Sequence, residues 1–127
     1  MKKGLLDTNY YVAFKRNDKQ AIDALRRLEY IGIDITVLAE LYTGFKMGSK
    51  EKFNTNELEK FLNNNRTHII NHDLNTAVYY AHICKNLKEK GIPIPTNDVW
   101  IAASAMQHGL TLYTFDKHFE AIDGLLM

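Results

Sequence analysis

Short apolar runs alternate with longer amphipathic stretches along the 127 residues. "GLL" leads into a helical stretch from Tyr10, and Asp18 can cap "KQAIDALRRLEY", with Gly32 as the stop. "IDI" reads as a brief strand, after which Thr36 can cap "VLAELYTGFKM". "NELEKFLNNN" reads as a helix and "THII" as a strand. Asp73 caps a long helix through about Glu89 that Gly91 ends, with Ala77, Tyr80, Ala81, Cys84 and Leu87 on one face. Pro93 and Pro95 keep "IPIPTND" extended. "DVWIAASAMQH" is then helical up to Gly109, "LTLYT" is a strand, and the tail is expected to form a short helix and an edge strand. Short apolar strands alternating with helices imply an α/β fold with a parallel sheet covered on both faces. Sites in such sheets form beyond the carboxyl ends of the strands.

That map sorts the acidic residues. Asp7 cuts the first apolar run in "LLDTN", Glu40 lies in the first turns of the helix near Thr36, Asp98 opens a helix, and Asp116 follows the "LYT" strand. All four fall at strand C-termini or helix N-termini. Each has a plain structural explanation: Asp7 as a cap, Asp98 favoured by a helix dipole, Asp116 beginning a turn. Glu40 fits least well, because its neighbours in "VLAELY" are apolar and a buried unpaired carboxylate is costly. Together, four carboxylates at one sheet edge would repel one another unless cations held them. Hard divalent ions such as magnesium or manganese take oxygen ligands and suit phosphoryl chemistry.

Composition narrows the setting. With 46% hydrophobic residues in 127, the chain is expected to fold as one domain over its whole length, 1–127. The single cysteine, Cys84, excludes an internal disulfide framework and fits a reducing compartment. The N-terminal apolar run is too short for a signal peptide and "VWIAASAM" too short to span a bilayer, so no membrane is expected and the protein is read as cytoplasmic.

"LLDTN", "TVLAELYTG", "IPTNDVWIAASA" and "LYTFDKHF" closely resemble, in order and nearly end to end, the motifs of PIN-domain ribonucleases, especially the VapC-type toxins of toxin–antitoxin pairs. The resemblance implies a PIN-like three-layer fold, with a central five-stranded parallel sheet between helices, and Mg2+- or Mn2+-dependent hydrolysis of RNA phosphodiesters with one or two ions. It makes Asp7, Glu40, Asp98 and Asp116 the acidic quartet. Thr114 takes the hydroxyl position two residues before the last Asp, and Asn9 a small polar position that supports the first. Where many relatives carry another acid after the last Asp, Lys117 and His118 stand here, which puts the affinity for a second ion in question.

Net charge is +1, from 16 basic and 15 acidic residues. Setting four acids in the site leaves 11 against 16, an excess that can meet a phosphate backbone through groups such as Lys15, Arg16, Lys19, Arg26, Arg27, Lys46, Lys50 and Lys52. The five histidines form no zinc pattern, and only His118 lies near the quartet, beside Asp116. The helices carrying Tyr10, Tyr11, Phe14, Ile22, Leu25 and Leu28, with Leu41, Tyr42, Phe45, Leu58, Phe61 and Leu62, have more apolar surface than one small core covers. Part of it is expected to form a groove for the amphipathic tail of a cognate antitoxin, and the rest a homodimer interface. Two other readings stand: a catalytically idle PIN-like binding module, and a phospho-acceptor or phosphatase-like α/β domain. The second wants paired acids after the first strand, and "LLDTN" has one.

Overall fold

Lys3–Leu6, Tyr30–Asp34, Thr67–Ile70 and Thr111–Tyr113 form strands β1 to β4 in a computed structural model that describes residues 2–127. Leu5 and Leu6 are wholly buried, which is what a central strand covered on both faces requires. All pairings are parallel and the strand order is β3-β2-β1-β4. The chain therefore builds outward from β1 through β2 to β3, and then returns to lay β4 on the other side of β1. The order reverses between β1 and β4, and a crevice opens there at the strands' carboxyl ends.

Six helices connect the strands: α1 (Thr8–Lys15), α2 (Lys19–Arg27), α3 (Ile35–Met47), α4 (Glu51–Leu62), α5 (Leu74–Lys90) and α6 (Thr96–His108). A 3-10 turn, Lys117–Ala121, follows β4. α5 packs along α6, whose Val99, Ile101, Ala102, Ala103, Ser104 and Ala105 are all buried. A run of small residues lets neighbouring backbones come close, which explains why "IAASA" is apolar without being bulky. α1 packs on α2 and α3, and α3 on α4.

Several local expectations are corrected. Among the described residues the sheet has four strands, not five. The tail offers β4 a single backbone bond, Leu112 N–H to the Leu126 carbonyl at 2.8 Å, just after Gly124 turns at φ 84°, too short a contact to make a ladder. Gly32 does not stop α2; it lies inside β2, where a Cβ would meet the Ile70 Cδ1 methyl at 2.8 Å, so the core side chains pack over the space glycine leaves. The cap of α3 is Asp34, whose carboxylate accepts from the Thr36 N–H at 2.8 Å, and not Thr36 itself. Asp73 and Gly91 do bound α5, with Gly91 at φ 68°. Of the expected inward face, Leu87 is buried and Tyr80 and Cys84 pack against the core, but Ala77 and Ala81 face solvent and Thr76 and Ile83 are buried in addition.

Of the apolar residues expected to exceed one core, Tyr10, Tyr11, Leu25, Leu28, Leu41 and Leu58 are buried, while Phe14, Ile22, Tyr42, Phe45, Phe61 and Leu62 are half-buried. Exposed apolar side chains stand on α5, where Leu74 is 81% and Val78 62% exposed, and also at Met47 on α3 and Phe53 on α4.

Candidate active site

β1 ends at Leu6, and Asp7 turns the chain into α1. Asp7 Oδ1 accepts from the Thr8 N–H at 2.8 Å, so Asp7 is the helix cap. Its other oxygen, Oδ2, accepts from the Thr114 hydroxyl at 2.7 Å, across the β1–β4 boundary. Capping and site duty, weighed above as alternatives, use different oxygens of one carboxylate.

Thr114 is a junction. Its hydroxyl oxygen also accepts from the Asp116 N–H at 3.0 Å and from Asn9 Nδ2 at 3.4 Å, while Asn9 Oδ1 accepts from the Phe115 N–H at 3.1 Å. Asn9 thus supports Asp7 through Thr114 and ties α1 to the loop after β4. Thr8, which follows Asp7 in "LLDTN", joins two of the acids: its N–H donates to Asp7 and its hydroxyl to Glu40 Oε1. Asn97 Nδ2 donates to Glu40 Oε2 at 3.4 Å, and the next residue is Asp98. Glu40 is therefore partnered, which offsets its apolar setting within α3.

Asp98 Oδ2 lies 2.7 Å from His118 Nε2, and Asp116 Oδ1 lies 2.6 Å from His118 Nδ1. The histidine bridges the last two acids, a role that the "DKHF" spacing hinted at without fixing. Asp7, Glu40, Asp98 and Asp116 all line one cleft of ≈ 680 Å³, together with Thr8, Asn9, Val12, Ala13, Arg16 and Asp18. Asp18 is the cap of α2, accepting from the Ala21 N–H at 3.0 Å. Arg16 is the one cationic residue on the wall. Lys15 and Lys46, also candidates for phosphate contact, are engaged by Glu57 and Glu51 at 2.9 and 2.8 Å.

Burial pushes the Asp7 carboxyl above the usual carboxylate range; Thr114 and Thr8 oppose this by hydrogen bonding, and the negative charges of Asp98 and Glu40 add to the rise. Burial likewise raises Asp98, opposed by His118 and reinforced by Glu40 and Asp116. In both, desolvation is the larger cause and repulsion between the carboxylates the smaller. Clustered, partly desolvated oxygen donors suit a hard divalent ion. Ligand atoms of Asp98, Asp116 and His118 lie within 4.8 Å of one another, close enough for one cation to touch all three.

The sign of the pH effect follows. A carboxyl whose folded pKa exceeds its unfolded value, near 3.8, binds protons more readily when folded. Stability then falls as pH rises from the unfolded value through the raised one, and the full penalty stands above it. In EDTA, the Asp7→Asn protein will melt above wild type near neutral pH, and the gap will close toward about pH 4. Millimolar Mn2+ or Mg2+ will raise the wild-type melting temperature and leave Asp7→Asn/Glu40→Gln/Asp98→Asn/Asp116→Asn unmoved, because an ion bound only by the folded site stabilises it. Equal shifts in both proteins would place the ion elsewhere.

Asp34 is a buried carboxylate that the sequence reading passed over. It is 0% exposed at the end of β2, and besides capping α3 it accepts the Ser104 hydroxyl and lies 3.0 Å from His72 Nε2. His72 stacks on Trp100, with centroids 4.6 Å apart. Because the serine donates to the aspartate and not to the histidine, this is no nucleophile arrangement.

Comparison with known proteins agrees with this geometry. The PIN domain family model matches residues 4–125. Ribonuclease VapC2 of Rickettsia felis is 33% identical over 97% of this chain and 94% of its own. The crystal structure of VapBC2 from Rickettsia felis bound to a DNA fragment from their promoter superposes with a TM-score of 0.87 at 32% identity, covering 96% of this chain and 94% of that one. DNA-bound VapBC from Salmonella typhimurium gives a TM-score of 0.87 at 26% identity, over 99% and 96%. With its acids gathered where the strand order reverses and the match running nearly end to end, the chain belongs to the PIN-domain family.

Proposed function

We propose that this protein is an endoribonuclease that hydrolyses RNA phosphodiester bonds with Mg2+ or Mn2+, and that it is the toxin of a toxin–antitoxin pair. The observation that carries the reading is the meeting of Asp7, Glu40, Asp98 and Asp116 in one cleft, two of them desolvated. A bound divalent ion supplies charge to offset that of the phosphate and lowers the pKa of a water. The chain's own residues supply the frame. Asp7, Glu40, Asp98 and Asp116 are the ligands we assign. Thr114, bonded to Asp7, Asn9 and Asp116, holds Asp7 against β4, and Thr8, bonded to Asp7 and Glu40, holds Glu40 against α1. Asn9 orients Thr114, and Arg16 on the cleft wall offers a phosphate contact. Incubation of a structured RNA with the purified protein, with and without divalent ion, tests this: cleavage that persists unchanged in EDTA would reject the metal, and no cleavage of any RNA in Mn2+ or Mg2+ would favour the idle binding module.

Partnering follows from two surfaces. A groove of ≈ 640 Å³ between α1, α3 and α4 is lined by Tyr11, Val12, Leu41 and Phe45, with Lys15 and Lys50 among its polar residues, and it shares Thr8, Arg16 and Glu40 with the acid cleft. An amphipathic antitoxin tail laid in it would carry a basic side chain to the acids. Solved relatives include complexes named VapBC, which supports a protein partner. The α5 stripe of Leu74 and Val78 suits a symmetric homodimer. Adding the tail peptide of the candidate antitoxin will inhibit cleavage, and the same peptide with its Arg and Lys residues neutralised will inhibit far less. Inhibition that survives neutralisation would reject the charge plug. Sedimentation at micromolar concentration will give a dimer that Val78→Glu dissociates; a monomeric wild type would reject it. Among the described residues no helix is long and apolar enough to cross a membrane.

A further inference from the structure

We propose that Phe115 is a stacking platform for one unpaired RNA base beside the bond being cut, and that Lys19 and Arg27 hold the strand's phosphates as it leaves the cleft. The inference rests on the ribonuclease reading above and concerns which form of RNA the site takes.

The ring is held where a base would meet it. Phe115 lies between Thr114, which bonds Asp7, and Asp116, which lines the acid cleft. Its own N–H donates to Asn9 Oδ1 at 3.1 Å, and Asn9 lines the same cleft. Neighbouring Cα atoms are about 3.8 Å apart, so the ring stands within a nucleotide's length of the acids. On one face it stacks on Tyr10, with centroids 4.6 Å apart and planes 13° from parallel. Tyr10 is buried and in turn meets Tyr113 of β4 edge-on at 5.6 Å, which fixes the stack against the sheet. Phe115 nevertheless stays 43% exposed. A lone exposed phenylalanine is ordinary on a protein surface. A ring backed by a buried aromatic, on a loop pinned to the acid site, is preorganised to stack.

Charge continues the path. Tyr10 also borders a hollow of ≈ 490 Å³ lined by Lys19, Gln20, Asp23 and Arg27 of α2. Among the described residues neither Lys19 nor Arg27 makes an ion pair, whereas Lys15 and Lys46 do. A strand leaving the acids over Phe115 therefore meets two cations, with Asp23 the one acid beside them. Stacking on an aromatic ring combined with phosphate contacts is how single strands are held. A base inside a duplex has both faces covered by its neighbours, so the platform selects an unpaired nucleotide, such as one in a loop.

Two measurements decide it. In the first, wild-type protein carrying 4-fluorophenylalanine at its six phenylalanines is titrated with an adenosine hexanucleotide. Ca2+ is present as a hard ion to fill the acid cleft. The Phe115 fluorine signal, identified by its loss in Phe115→Leu, will shift by ring current. A hexamer of abasic ribose phosphate and a fully paired duplex will leave it in place. No shift with the hexanucleotide, or an equal shift with the abasic chain, overturns the inference. The second measurement is cleavage of a loop-containing RNA in Mg2+ or Mn2+. Phe115→Leu will raise KM about tenfold and lower kcat less than about threefold, and Phe115→Trp will restore KM. Lys19→Gln/Arg27→Gln will raise KM and flatten its dependence on salt, which Phe115→Leu leaves as steep as in wild type. If Phe115→Leu leaves KM unchanged, with or without loss of a homodimer, the ring does not meet RNA and the inference is overturned. If wild type cleaves no RNA while the hexanucleotide still moves the signal, the ribonuclease reading falls and the platform stands.

Discussion

Asp7→Asn, Glu40→Gln and Asp98→Asn proteins will fold and will each cleave RNA at least about 100-fold more slowly than wild type. Each change removes one negative charge from the cleft while keeping the side chain's size. Asn at position 7 can still cap α1, because an amide oxygen accepts the Thr8 N–H as a carboxylate does. The loss will therefore not come from unfolding. Asp116→Asn will be milder, since Asp98 and His118 remain at that end of the cleft. Initial rates on one RNA substrate, with circular dichroism on the same preparations, check this. A folded Asp98→Asn protein cleaving at near wild-type rate would remove that residue from the site.

Asp34→Ala will destabilise the protein by about 3 kcal/mol, or roughly 10 °C in melting temperature. The carboxylate caps α3, accepts the Ser104 hydroxyl and meets His72, and all of this happens in a wholly buried position. Removing it strips the cap and leaves a buried hydroxyl without its acceptor, two costs that add. Urea unfolding monitored by Trp100, which stacks on His72, measures it directly. A cost below about 1 kcal/mol would show that the cluster contributes little. Whatever fraction stays folded will still cleave RNA, because Asp34 does not line the cleft.

These two aspartates show where sequence reading succeeds and where it stops. "LLDTN" and "GIDIT" share a local pattern: an apolar strand, an aspartate, and a threonine within two residues. In both, the aspartate caps the following helix. Asp34 was overlooked because a strand-end carboxylate with a capping role gives no local sign of being buried. The difference between them is strand order. β1 borders β4, so Asp7 opens on the crevice with Thr114 beside it; β2 lies between β1 and β3, and Ser104 and His72 close over Asp34.

The sequence by itself determined the alternation of strands and helices, the stops at Gly91 and Gly109, and the four acids, because periodicity, capping and chain-breaking act over a few residues. The family match followed from motifs of the same short range. Only the tertiary structure decided that Gly32 leaves space for core side chains, that Thr8 joins Asp7 to Glu40, and that His118 bridges Asp98 and Asp116. The Thr8–Glu40 and His118–Asp98 contacts join residues 32 and 20 positions apart, which only the folding of the chain brings together, whereas Thr8–Asp7 and His118–Asp116 are local. The same holds for the apolar surface: which helix faces are covered depends on what packs against them, and that buried Tyr10, Tyr11 and Leu25 on the first two helices while leaving Leu74 and Val78 of α5 exposed.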